Sequence, residues 1–151
     1  EKPFSVQYLE ACINNLVSLR AMLRNKYSTS PLMPLTSVAN NNTDTNFLKN
    51  MTDIIEAHFS DSNLSVDFLT EQMGISRSSL YNKIKVLTDK TPNELIQLMR
   101  LKKAAQLLRE NKYRINEICY MVGFNNPSYF SKCFYKQFGM KPGEFAAQSG
   151  E

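Results

Sequence analysis

Gly74-Ile75-Ser76-Arg77-Ser78-Ser79-Leu80-Tyr81 has a partner 49 residues further on, at Gly123-Phe124-Asn125. After a one-residue insertion the register continues at 50, pairing Leu80 with Phe130, Lys85 with Tyr135, Pro92 with Pro142 and Leu95 with Phe145. Upstream, Leu69 and Met73 pair with Ile118 and Val122. Each copy reads as a short helix, a glycine turn, a longer helix and a proline-started element, the layout of a helix-turn-helix. One such pattern is weak, because many helical proteins contain one. Two copies, the first with a basic second helix, are much stronger.

The helices around the repeat follow from apolar spacing and from their start and stop signals. Phe47, Met51, Ile54 and His58 form a stripe, with Leu48, Ile55 and Phe59 beside it. Ser65 is a candidate N-cap for a helix with Val66, Leu69 and Met73 inward, and Gly74 stops it. The next helix runs from Ser76 to about Leu87 on Leu80, Ile84 and Leu87. Pro92 opens a long helix to about Glu110, with Leu95, Leu98, Leu101, Ala105 and Leu108 inside. Ile115, Ile118, Cys119 and Val122 mark a fifth, ended by Gly123. Pro127 to Phe138 marks a sixth on Phe130, Phe134 and Phe138, and a final turn starts at Pro142. No stretch reads as a strand, so the core is expected to be all-α.

Before the repeat, Ser5 to Tyr27 reads as a helix on Leu9, Ile13, Leu16 and Leu23. The seven-residue spacing of Leu9, Leu16 and Leu23 fits a short coiled-coil seam, and burial against another domain fits equally. From Ser28 to Thr45 the chain is polar, interrupted by Pro31 and Pro34, and reads as a flexible linker. The chain begins at Glu1 rather than Met and is expected to be a fragment of something longer.

Charge divides the 151 residues unevenly: residues 1–75 carry a net −3 and residues 76–151 a net +7, giving the overall +4. The positive half suits a polyanionic partner, though a solvated face would look the same. No apolar run approaches the roughly 18 residues of a membrane span. Three cysteines, Cys12, Cys119 and Cys133, form no C-x-x-C pair and read as thiols of a reducing cytoplasm.

The inward stripe of the first copy's second helix leaves Arg77, Ser78, Tyr81, Asn82, Lys83 and Lys85 on other faces. In the second copy, Asn125, Asn126, Ser128, Tyr129, Ser131 and Lys132 take corresponding places. Arg and Lys donate to guanine, Asn pairs with adenine, and Ser suits bases or phosphates. The Pro92–Glu110 helix is about 28 Å long at 1.5 Å per residue. Adjacent major-groove faces lie about 34 Å apart, so one rigid helix could space two readers on duplex DNA. Arg100, Lys102, Lys103 and Arg109 are expected to add to the positive field there. A-form major grooves are too narrow for a helix, which disfavours RNA.

At these residues the chain resembles the AraC/XylS family of bacterial transcription regulators over about residues 46–147. Gly74 through Tyr81 is similar to the family's first motif. Gly123-Phe124, Tyr129-Phe130-Ser131-Lys132 and Phe138-Gly139-Met140-Lys141-Pro142 are similar to its second. The resemblance implies that each motif sends its second helix into a major groove. Base-facing candidates carried over by position are Arg77, Ser78, Tyr81 and Asn82, then Asn126, Ser128, Tyr129 and Lys132. Pro127 departs from the polar residue common there, which tells against base reading at that position. Lys2-Pro3-Phe4 before a helix resembles the end of a response-regulator receiver domain, as in hybrid two-component regulators. Residues 1–27 would then be the receiver's end, 28–45 a linker and 46–151 the DNA-binding domain.

Two other classes compete. An enzyme would need reactive groups the sequence does not offer: His58 is the single histidine and falls on a helix stripe, and no phosphate loop or His/Cys metal spacing is present. A helical protein-interaction module would use the repeat as a packing unit and show no salt-dependent affinity for duplexes. The expectation is therefore an all-α protein of two helix-turn-helix units joined by a long helix, preceded by an isolated N-terminal helix. It is expected to be a cytoplasmic, sequence-specific, double-stranded DNA-binding activator under two-component control, with no catalytic, metal or cofactor site. Its DNA-contacting residues would be those named above together with Lys83 and Lys85. RNA polymerase is a candidate partner, and residues 5–27 are a candidate homodimer surface.

Overall fold

Proline starts and left-handed stops set half of the helix boundaries. A computed structural model describes residues 19, 21–32, 35, 39, 41–61 and 64–149. Among them, a helical segment over 21–29 precedes α1 (Asn42–Ala57), α2 (Val66–Met73), α3 (Arg77–Thr88) and α4 (Pro92–Glu110). Then follow α5 (Ile115–Met121), α6 (Pro127–Phe138) and α7 (Pro142–Ser149), with no strand among the described residues. Thr91 and Glu94 form a reciprocal capping box at α4, with Pro92 in its first turn. At α7 half of that arrangement recurs: the Lys141 N–H donates to Glu144 Oε1 at 2.9 Å beside Pro142, while the lysine side chain has no acceptor to complete the box. The sequence repeat is thus in part a repeat of caps as well as of apolar positions.

Two cores share α4. Leu48, Met51, Ile55, Leu69, Leu80 and Ile84 are fully buried around Leu95 and Leu98. Ile118, Cys119, Phe130, Phe134 and Phe145 pack around Leu101, Ala104, Ala105 and Leu108. Phe138 touches both clusters. A helix used from opposite sides along its length is apolar nearly all round, and eleven residues of α4 are buried. On α1 the buried line is Leu48, Met51 and Ile55, with Phe47 and Ile54 only half-buried, so the expected stripe is rotated by one position. His58 caps the C-terminal end of α1, half-buried, with its ring edge-on to Phe68 at 4.7 Å.

The segment expected as a flexible linker over 28–45 is partly docked instead. Tyr27 and Leu35 are 1% and 5% exposed and belong to the first core, and α1 already starts at Asn42, capped by Asn41. The reason is long-range: Tyr27 lies beneath the Lys102 ammonium, 3.9 Å from its ring centre, and Lys102 Nζ donates to the Ser30 carbonyl at 2.6 Å. Lys102 is thereby buried and withdrawn from the positive field expected of α4. Lys103 lines the cavity under the same segment. Residues 1–18 and 20 lie outside the described residues, and with them Leu9, Leu16 and the expected receiver-end motif.

The two subdomains meet at Gly123. Its φ is +95°, and a Cβ there would overlap the Phe59 carbonyl oxygen and the Arg100 guanidinium. Arg100 Nη1 donates to the Gly123 carbonyl at 2.9 Å, so this arginine fastens α4 to the second glycine turn. Gly74 also has positive φ, at +67°, but has open space around it. Gly123→Ala should therefore destabilise by about 3 kcal/mol, combining backbone strain with overlap, against about 1 kcal/mol for Gly74→Ala from strain alone. Urea denaturation of both variants checks this, and equal losses would remove the close-approach argument.

Burial pushes the Lys102 ammonium down to about 7 and the Tyr27 phenol above its ordinary value. The unfolded chain then binds more protons at Lys102 than the folded one between about pH 7 and 10. Stability contributed through this site should rise with pH across that window and fall above it as Tyr27 ionises in the unfolded chain. Melting curves at pH 7 and 9 should show the rise in the parent chain and a smaller one in Lys102→Met.

Candidate nucleic-acid interface

The second helix of each copy is started by a side chain that turns its first N–H groups inward. Ser76 Oγ accepts from the Ser79 N–H at 3.1 Å at the start of α3. One repeat later, Asn126 Oδ1 accepts from Ser128 and Tyr129 N–H at 2.8 and 3.2 Å. Asn126, expected to face bases, thus commits its amide oxygen to the cap and retains only its NH2 for a ligand. The sequence register set Ser76 against Asn125 and so missed this; the structure shows that Asn126, one residue on, takes the cap position of Ser76.

At 3.6 residues per turn, Ser78, Asn82 and Lys85 fall opposite the buried Leu80, Ile84 and Leu87. All three are exposed. The flanking residues lean on neighbouring helices. Arg77 Nη1 donates to Asp67 Oδ1 at 2.6 Å and its guanidinium lies over the Tyr81 ring at 5.6 Å. Those contacts, the Tyr81 hydrogen bond first, hold Arg77 above its ordinary pKa. Lys83 sits over the Phe47 ring at 4.9 Å, and Lys85 pairs with Asp89 at 3.2 Å.

On α6 the same positions carry Ser128, Lys132 and Tyr135, all exposed. Tyr135 was absent from the candidates expected from sequence, although its alignment with Lys85 points to it. Tyr129 turns aside: its hydroxyl hydrogen-bonds Cys133, which raises its pKa, and its ring lies 6.1 Å from Phe124. A cleft of about 460 Å³ separates α6 from the start of α4 and is lined by Lys90, Glu94, Gln97, Tyr129, Lys132 and Lys136. A second, of about 650 Å³, lies above Arg100 and Gly123 and includes Asn93, Asn125 and Asn126 in its lining. Arg100 is half-buried there, its pKa lowered by burial. The structure therefore groups Ser78, Asn82 and Lys85, and Ser128 and Lys132, into two outward faces, leaves Arg77, Tyr81, Lys83, Asn126 and Tyr129 beside them, and puts basic side chains at the cleft between α4 and α6. Lys90 and Lys136 join that set without having been singled out by sequence.

Two short-helix, turn, long-helix units on a common spine, each exposing a polar and basic second helix, define a paired helix-turn-helix DNA-binding domain. A helix-turn-helix domain family model matches residues 69–148. A solved transcriptional regulator from Chromobacterium violaceum, with an AraC-type DNA-binding domain, superposes with a TM-score of 0.67 at 27% identity, covering 74% of this chain and 98% of that one. The transcriptional activator RhaS of Shigella boydii is 32% identical over 88 residues, 58% of this chain and 31% of that protein. Histidine kinase P4 of Formosa agariphila is 39% identical over 150 residues, 99% of this chain and 11% of that protein. The chain belongs to the AraC-type helix-turn-helix family and carries that family's DNA-binding domain. It spans well under half the length of these two relatives. No helix among the described residues is long and apolar enough to cross a membrane.

The Arg77–Asp67 pair is exposed on both sides, so it costs little to break, and Asp67 carries negative charge beside a residue expected to face the duplex. Asp67→Ala should tighten duplex binding about threefold at low salt, with the gain shrinking as salt rises. Fluorescence anisotropy at two salt concentrations reads it. A loss of affinity would mean instead that Asp67 aims Arg77 at its contact.

Proposed function

We propose that this chain is the sequence-specific output domain of a phosphorylation-controlled two-component regulator and that it activates transcription. The observation carrying the proposal is the matched pair of outward sets, Ser78, Asn82 and Lys85 on α3 and Ser128, Lys132 and Tyr135 on α6, one repeat apart on a shared spine. Ser78, Asn82, Ser128 and Lys132 read base edges in two adjacent major grooves of one duplex. Arg77, Tyr81, Lys83 and Lys85 flank the first groove, and the Asn126 NH2 and Tyr129 the second. Lys90 and Lys136 hold phosphates of the strand between them.

The likeness to a histidine kinase over 99% of this chain supports a hybrid architecture with sensor, kinase and receiver upstream. Residues 1–27 are then the receiver's end, followed by a connecting segment and the domain from about residue 46. The likeness to an activator supports positive control, with RNA polymerase as the further partner. Residues 5–27 supply a homodimer contact, and the protein works in the cytoplasm without a cofactor or catalytic step of its own in this part.

Selection of bound duplexes from a random library should return two short blocks about one helical turn apart. With that duplex, Asn82→Ala should flatten preference at one position and cost about 1–2 kcal/mol on the selected site. Lys136→Ala should weaken all duplexes alike and lower the slope of log affinity against log salt by about 0.9. An equal loss of selectivity from both would refute this division of roles, and binding without an enriched sequence would refute specific reading.

A further inference from the structure

The segment from Arg24 to Leu35 touches three elements that the DNA-reading surface depends on. Arg24 Nη2 donates to the Val86 carbonyl near the end of α3, at 2.5 Å. Lys102 on α4 donates to the Ser30 carbonyl. Gln137, in the last turn of α6, donates from Nε2 to the Ser28 carbonyl at 2.6 Å. Gln137 lies on the side of α6 opposite Ser128 and Lys132. One strap thus spans the back of both readers and of the helix between them.

We propose that residues 24–32, together with Leu35, form a latch that holds α3 and α6 at their binding spacing, and that displacement of the chain upstream releases it. The inference rests on the reading that both helices bind one duplex.

The docking is poised rather than tight. Tyr27 and Leu35 supply apolar burial, but the Tyr27 hydroxyl and the Thr52 hydroxyl are buried without a hydrogen-bond partner among the described residues. A cavity of about 250 Å³ remains under the strap, lined by Tyr27, Leu32, Leu35, Thr52, Met99 and Lys102 among others. The hydration that Lys102 loses on burial is also set against what its contacts with the Tyr27 ring and the Ser30 carbonyl return. Burial gains offset by orphaned polar groups and incomplete packing leave a small net free energy, which a modest pull on the preceding chain can reverse. Two of the three tethers accept on strap carbonyls, so they require the strap's path rather than its side chains. With the strap released, α3 and α6 are related through α4, Phe138 and the Gly123 contact, without the three tethers. Apparent affinity for a two-block duplex then falls in proportion to the docked fraction, whereas a single-block duplex, needing one reader, does not respond.

The test compares the 151-residue chain with Tyr27→Ala and Gln137→Ala, using the selected two-block duplex, single-block duplexes and amide hydrogen exchange of residues 24–35. Tyr27→Ala should speed exchange of the strap and weaken two-block binding about tenfold, with single-block binding unchanged within about twofold. Gln137→Ala cuts one tether outside the first core and should weaken two-block binding about threefold, the scale of one modest hydrogen bond. If Tyr27→Ala also loosens the amides of α1 to α3, Gln137→Ala decides, and no effect of it on two-block binding overturns the latch. Faster strap exchange with unchanged two-block affinity overturns it as well. Failure of the parent chain to select any sequence would overturn the two-groove reading itself and the latch with it; selective binding that ignores the strap overturns the latch alone.

Discussion

Leu98 and Leu101 lie less than one turn apart on α4 and belong to different cores. Because both cores need that helix, neither helix-turn-helix can rotate about it without exposing leucines. The capping box at Thr91 and Glu94 fixes where the shared helix begins, and the left-handed Asn111 fixes where it ends. Gly123 restricts the two units further, because its missing side chain lets the second turn press against Phe59 and receive Arg100. A substitution that fills this space acts on the spacing of the readers as well as on stability.

The charges on the reading surface are held loosely. Arg77 leans on Asp67 and Tyr81, Lys83 on Phe47, and Lys85 on Asp89, all at or near the solvent. Exposed pairs of this kind contribute roughly 0 to 1 kcal/mol, so phosphates can replace the internal partners at little cost. The buried cations behave oppositely. Arg100 and Lys102 are consumed by packing and docking, which is why the positive charge of this half of the chain overstates what DNA would meet.

Much of the fold was legible because its boundaries are written in local chemistry. Pro92 and Pro127 open their helices, Gly74 and Gly139 close theirs with positive φ, and the phenylalanines of α6 mark its inner face. The outward faces followed from the same periodicity. What escaped depends on contacts distant in sequence. Nothing near Tyr27 announces a lysine 75 positions away, so prolines and asparagines downstream read as a linker. Lys102 falls four residues after Leu98 on the inner stripe, and only the docked strap explains a cation there. The capping duty of Asn126 was hidden by the one-residue insertion, which set Ser76 against Asn125, and an asparagine at the start of such a helix suits a cap or a ligand equally.

The two readers have diverged within the repeat. Arg77 corresponds to Pro127, Asn82 to Lys132 and Lys85 to Tyr135, while Ser78 and Ser128 are the same. On the proposed two-groove reading, an asparagine suits adenine and a lysine guanine, so the two helices would not favour the same base at that position. Proline at the start of α6 also supplies neither the N–H nor the charge that Arg77 brings to α3. A single chain with unlike readers in fixed order has a direction along the duplex. Its site is consequently expected to be asymmetric, two different blocks rather than a palindrome. Two chains would occupy tandem copies more readily than inverted ones, unless a contact upstream of the strap imposes twofold symmetry.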